Sequence, residues 1–178
     1  FVGYNYSNWG SRFYVNSGDA FNVGGAFGLN RTSEWLSQVS NANIVDVVII
    51  SVNGDRFPDF FVGTTGANRA WLNHDGQYFE DATSNTVPPG PLISASGTDT
   101  RDLVGDDFDN DGDIDIIDLI NGRNRYFVRN GGDGFVDVTN DTMPTTSSNS
   151  IGGDSGDLDQ DGYIDVVISN WQQQNELL

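Results

Sequence analysis

Asp107-Phe108-Asp109-Asn110-Asp111-Gly112-Asp113-Ile114-Asp115 sets five carboxylates on alternate positions of nine residues, with a glycine at the sixth. In an extended or tightly looped backbone, such alternation turns successive oxygens toward one centre. At neutral pH these like charges repel unless a cation sits among them. Ca²⁺ suits the set because it accepts six to eight hard oxygen ligands at irregular angles. Mg²⁺ demands a stricter octahedron, and the loop has no sulfur or imidazole for softer metals. Gly112 permits the sharp bend that folds the loop back on itself.

The pattern returns. Asp157-Leu158-Asp159-Gln160-Asp161-Gly162-Tyr163-Ile164-Asp165 repeats the carboxylates at positions 1, 3, 5 and 9 and the glycine at 6. A degenerate third copy, Ser51-Val52-Asn53-Gly54-Asp55-Arg56-Phe57-Pro58-Asp59, keeps oxygen ligands at 3, 5 and 9 but has Ser51 at the first position and Arg56 at the sixth. A helix-flanked EF-hand needs an acid at position 12. That position is Asp118 in one copy but Val62 and Ile168 in the others. The segments after each loop are Asp59-Phe60-Phe61-Val62, Ile114-Asp115-Ile116-Ile117 and Ile164-Asp165-Val166-Val167. Such β-branched and aromatic runs read as strands. Each loop therefore belongs to a strand–loop–strand hairpin.

Similarity extends past the loops. Thirteen residues after the ninth-position Asp stand Leu72, Val128 and Leu178. A turn and a further strand follow in two copies, at His74–Thr83 and Asn130–Thr139. Phe13–Phe21 echoes this second hairpin. Each unit is thus four strands with the acidic loop between the first and second. The ninth-position residues Asp59, Asp115 and Asp165 lie 56 and then 50 residues apart, the size of one propeller blade. The expected fold is all-β, a β-propeller of four-stranded blades. Its layout is a partial blade at 1–25, blades at 44–83 and 98–139, and a partial blade at 150–178. About three and a half blades would make this a fragment of a larger ring. Linkers are expected at 26–43, 84–97 and 140–149, on the face opposite the acidic loops. Residues 33–39 could add a helical turn to the first linker, though a loop anchored by Trp35 fits better.

These residues resemble the FG-GAP/VCBS repeats of integrin α-subunit propellers and many secreted proteins. The resemblance is most specific at Asp107–Asp115, at Asp157–Asp165 and in the Asn-Gly-Gly-Asp-Gly-Phe stretch at 130–135. It implies a calcium-stabilised, extracellular propeller. It also implies ligation by side chains at positions 1, 3, 5 and 9 and by the main-chain carbonyl at 7. Those are Asp107, Asp109, Asp111, Asp115 and the Asp113 carbonyl in one loop. In the next they are Asp157, Asp159, Asp161, Asp165 and the Tyr163 carbonyl. Asn53, Asp55 and Asp59 are the corresponding candidates in the degenerate copy.

The formal net charge is −18, and all eight basic residues are arginine. Two divalent ions would still leave about −14, which disfavours nucleic acid and anionic membranes as partners. There is no cysteine, so neither disulfides nor a thiol catalyst exists. Sequons stand at Asn5, Asn30 and Asn140, candidates for glycosylation outside the cell. No apolar run reaches membrane-spanning length. No catalytic residue is assigned. The single histidine, His74, reads as an exposed turn residue, and no triad can be built on it alone. Trp71 falls at a strand position assigned to the core, while Trp9, Trp35 and Trp171 lie in expected loops. The expected function is a structural or adhesive module whose partner is an extracellular protein or glycan, with self-assembly as a further option. The alternative is a lectin-like propeller that stacks sugars on loop aromatics, and a polysaccharide-degrading enzyme is third.

Overall fold

The computed structural model describes residues 14–15, 29–30, 43–83, 99–129, 131 and 134–178. Trp9, Trp35, Asn5, the helical turn considered at 33–39, the proline-rich 84–97 and most of the Phe13–Phe21 hairpin lie outside these residues. Two short strands precede the main body: β1 (Tyr14–Val15) pairs antiparallel with β2 (Leu29–Asn30). This corrects the linker expected at 26–43, because Leu29 and Asn30 use their backbone in a ladder.

The first sheet runs in chain order: β3 (Ile44–Ile50), β4 (Asp59–Thr64), β5 (Arg69–His74) and β6 (Tyr78–Asp81), all antiparallel. Six β-branched residues, three Ile and three Val, suit β3 to a pleated surface. Asp75 and Gly76 have φ of 54° and 71°, and the Gln77 amide donates to the His74 carbonyl at 2.9 Å. Two successive left-handed residues give a turn whose twist matches the strands it joins. His74 itself is therefore the last residue of β5, cross-strand from Tyr78, and not a turn residue.

The second unit repeats the pattern with β7 (Thr100–Asp106), β8 (Asp115–Gly122), β9 (Arg125–Arg129) and β10 (Phe135–Asp137). The third holds β11 (Ser148–Gly156), β12 (Asp165–Asn170) and β13 (Glu176–Leu177). In place of a wholly irregular linker after Thr139, Thr139–Thr142 form one helical turn. The second and third units are also not separate sheets. β8 outruns its hairpin partners, and its last residues, Asn121 and Gly122, pair with Asn149 and Ser148. Seven strands thereby become continuous. Among the described residues no ring closes, so the chain is all-β with antiparallel sheets.

Packing follows the two-residue period of the second strand of each unit. In β8, Ile116 turns toward the first unit and Ile117 toward the third unit. Ile116 joins Phe61, Leu103, Phe127 and Phe135 in one core, where the Phe61 and Phe135 rings meet edge-on at 5.2 Å. Ile117 joins Val104, Leu119, Val166 and Ile168 in another. Trp71 is buried, as its strand position requires.

Polar contacts tie each unit to the next. Asp118 accepts from Thr100 Oγ1 and from Asn68 Nδ2, each at 2.8 Å, with all three residues buried. Its carboxylate is committed between sheets, which removes the EF-hand reading of position 12. First strands are linked likewise. Asp46 Oδ2 accepts the Leu103 amide at 3.0 Å, and Asp102 Oδ2 accepts the Gly153 amide at 2.9 Å. The strands come close enough that a Cβ on Gly105 would lie 2.6 Å from Val48 Cγ1, and one on Gly153 2.7 Å from Leu119 Cδ1. Among the described residues no helix is long and apolar enough to cross a membrane.

Candidate metal centres

Both intact loops join strands. One runs from the end of β7 to the start of β8, the other from β11 to β12. Asp107 Oδ1 accepts the Asp111 amide at 3.0 Å, and its Oδ2 accepts Gly112 at 3.0 Å. Asp109 Oδ1 accepts Asp111 at 3.2 Å, and Asp111 Oδ1 accepts Asp113 at 2.9 Å. The later loop reproduces each bond. Asp157 takes Asp161 and Gly162 at 3.1 Å each, Asp159 takes Asp161 at 3.1 Å, and Asp161 takes Tyr163 at 2.9 Å. Short side chains that grip their own backbone amides thus wind both loops.

The glycines at position 6, Gly112 and Gly162, have φ of 95° and 92°. A second left-handed residue stands at position 4 of every copy: Gly54, Asn110 and Gln160, with φ of 77°, 60° and 65°. Position 4 is a feature that the acidic pattern does not reveal, because three different residue types fill it. At position 6 of the degenerate copy, Arg56 has no left-handed φ.

Carboxylate oxygens of Asp107, Asp109 and Asp111 come within 4.8 Å of one another, as do those of Asp157, Asp159 and Asp165. Burial lifts the Asp109 carboxyl above its ordinary range, and the negative charges of Asp111 and Asp107 add to the shift. Hard oxygens crowded at such cost fit a divalent cation of the calcium type.

The ninth-position residues divide. Asp165 joins its cluster while also accepting the Leu158 amide at 2.8 Å. Asp115 is fully buried and is not one of the three carboxylates of the Asp107 cluster; it accepts the Arg129 amide and the Tyr126 hydroxyl at 2.8 Å each. Burial raises its pKa, helped by Asp109 and Asp111 and opposed by those two donors. The Tyr126 phenol, desolvated and bonded to that carboxylate, is pushed far above its usual range. The Asp113 side chain forms an ion pair with buried Arg129. Among the carboxylates of the two intact loops, Asp113, Asp115 and Asp161 are the three outside the clusters.

The degenerate loop is held differently. Asp59 is buried, and its oxygens accept the Val52, Asn53 and Asn73 amides at 2.8, 3.3 and 2.8 Å. Asn53 Nδ2 donates to Asp55 Oδ2 at 2.9 Å, so an amide group supplies the positive end that the other loops lack. Asn53 Oδ1 and Asp55 Oδ1 still accept the Asp55 and Phe57 amides at 3.0 and 2.7 Å.

Other candidates disperse. His74 Nε2 lies 2.8 Å from Glu80 Oε2, and its ring stacks on Tyr78 at 4.7 Å. Trp171 is exposed at the turn after β12. Asn140 is exposed on the helical turn, with Oδ1 accepting from Arg123 at 2.8 Å. The backbone of Asn30 lies in β2. The inter-unit acceptors Asp46 and Asp102 escape a reading centred on the loops. They stand 56 residues apart, the interval that separates Asp59 from Asp115.

None of the curated proteins compared with the chain matches it. Residues 107–168 match the model of a protein family described as FG-GAP-like repeat. The matched segment opens on the first carboxylate of one intact loop and runs through the whole of the other. The match thus falls on the same acidic loops that carry the resemblance read from the sequence.

Proposed function

We propose that the chain is a calcium-binding β-propeller module acting outside the cell, with a structural or adhesive role and no catalytic one. The observation that carries this reading is the pair of carboxylate clusters, each with oxygens within 4.8 Å and built on the same internal hydrogen bonds. Asp107, Asp109 and Asp111 would hold one ion, and Asp157, Asp159 and Asp165 the other, with Asp115, Asp161 and the carbonyls of Asp113 and Tyr163 completing the shells. The cation supplies charge neutralisation and a cross-link between the ends of two strands. A site absent from the unfolded chain stabilises the native state by its binding free energy.

The FG-GAP-like match supports a propeller, of which the three described units are successive blades. The sequons at Asn5, Asn30 and Asn140 fit an extracellular setting, where the partner is a protein, a glycan or another copy of the chain. Titration calorimetry of chelator-treated protein tests the reading. Saturation at two calcium ions is expected, because the degenerate loop already satisfies Asp55 through Asn53 and Asp59 through three amides. No heat on adding calcium, or an equal response to magnesium, overturns it.

A further inference from the structure

A groove of about 620 Å³ opens between the segment Pro144–Ser148 and the chain from Gln173 to Leu178. Its Ser148 side lies at the far end of the third hairpin from the acidic loop, and its Leu178 side runs along β12 to Val166. β11 starts at Ser148 and reaches that loop only after Gly156, about 25 Å away at the usual rise per residue. None of the carboxylates of either metal centre lines the groove.

Three of its polar side chains share one arrangement: one end is tied to the protein and the other is left unpaired. Gln173 Oε1 accepts the Asn149 amide at 2.7 Å. Asn175 Oδ1 accepts the Asn170 amide at 3.0 Å. Glu176 Oε1 accepts from the Ser148 hydroxyl and, at 3.0 Å, from Asn170 Nδ2. Among the described residues, Gln173 Nε2, Asn175 Nδ2 and Glu176 Oε2 bond to no other group. Two amide donors and one carboxylate acceptor are therefore held in place without being used. Leu177 and Leu178 supply apolar wall, and backbone bonds of 2.9 and 3.0 Å between Leu178 and Val166 hold that wall to β12. Trp171, 57% exposed, precedes Gln173 by two residues, and its backbone amide donates to the Asn149 carbonyl at 2.8 Å.

Anchored amides and a carboxylate that present donors and acceptors together suit the vicinal hydroxyls of a sugar ring. An exposed indole suits the ring's C–H face. No arginine lines the groove, whose one ionisable side chain is Glu176, and the nearby Arg123 is taken up by the Pro144, Thr139 and Met143 carbonyls, so an anionic ligand would meet repulsion. We propose that this groove binds a neutral saccharide, with Gln173, Asn175 and Glu176 bonding its hydroxyls and Trp171 stacking on the ring.

The test uses the full chain with calcium saturating. Tetrasaccharides of glucose, mannose and N-acetylglucosamine are compared, by calorimetry, with a tetrasaccharide of galacturonic acid. At least one neutral sugar is expected to bind and the uronate is not. Trp171→Ala and Gln173→Ala should each weaken binding about tenfold or more, the loss of one stacking or hydrogen-bond contact, at unchanged Tm. Absence of binding by all three neutral sugars, uronate binding of equal strength, or folded variants of unchanged affinity overturns the proposal. Should a variant fail to fold, tryptophan emission of the unaltered chain decides. A saturable change with the neutral sugar upholds the site, and none overturns it.

Discussion

Asp107 does two things at once. Its oxygens hold the amides of Asp111 and Gly112, which winds the loop, and they remain part of the charged cluster. Asp107→Ala and Asp157→Ala are accordingly expected to lower calcium affinity on the order of tenfold or more by calorimetry, with a lower Tm even under chelation. An Asn at either position keeps an acceptor for one amide, so it should cost affinity with less loss of the metal-free Tm. Asp102 makes a second case. Burial lifts its carboxyl above the ordinary range, the neighbouring Asp46 carboxylate pushes the same way, and the Gly153 and Leu103 amides oppose them. An acid whose folded pKa exceeds its unfolded value binds more protons when folded, so its contribution to stability falls as pH rises between the two. Asp102→Asn keeps an oxygen for the Gly153 amide and removes that charge. Urea denaturation is expected to show the variant more stable than the parent at pH 7, with the advantage shrinking toward pH 4. An advantage independent of pH would contradict this assignment.

At the scale of strands and hairpins, the inter-sheet clasp of Asp118, Thr100 and Asn68 carries the clearest prediction. All three are buried, so Asp118→Ala leaves the Asn68 amide without its acceptor, while the Thr100 hydroxyl keeps Asn68 Oδ1 at 2.8 Å. A loss of about 1–3 kcal/mol is expected from urea denaturation, with unchanged calcium affinity at the neighbouring loop. The hairpins themselves were legible in the residues. A period of two on either side of nine loop positions named β4, β8 and β12, and the recurrence of Asp59, Asp115 and Asp165 set their register. What was not legible depends on groups that pattern alone does not bring together. The Asn121–Gly122 extension pairs with a strand more than twenty residues on. Asp46 and Asp102 look like solvated acids until their neighbours' amides are placed. His74 looked like a turn residue because the left-handed pair Asp75-Gly76 sits just after it. In the loops the sequence marked every carboxylate equally. Their surroundings differ: Asp115 is fully buried and bonded to the Tyr126 hydroxyl, which its spacing alone does not show.

For the whole molecule, the metal reading and the charge lead to one expectation. A chain with formal charge −18 and two acidic clusters should be held together more firmly with its cations than without. At a free calcium of a hundred times Kd, each site adds about 2.7 kcal/mol. Removing both with a chelator should lower Tm by roughly 10–20 °C for a domain of this size, as read by scanning calorimetry. An unchanged Tm would mean that the loops are acidic turns only. One further consequence comes from the bonds that Asp46 and Asp102 send forward to Leu103 and Gly153. Each reaches a single step along the chain, from one unit's first strand to that of its successor. In the third unit Gly152 takes the corresponding place, so that baton is not handed on. Cohesion of this sort is local and directional, and duplication could lengthen such an array without redrawing the joints already made.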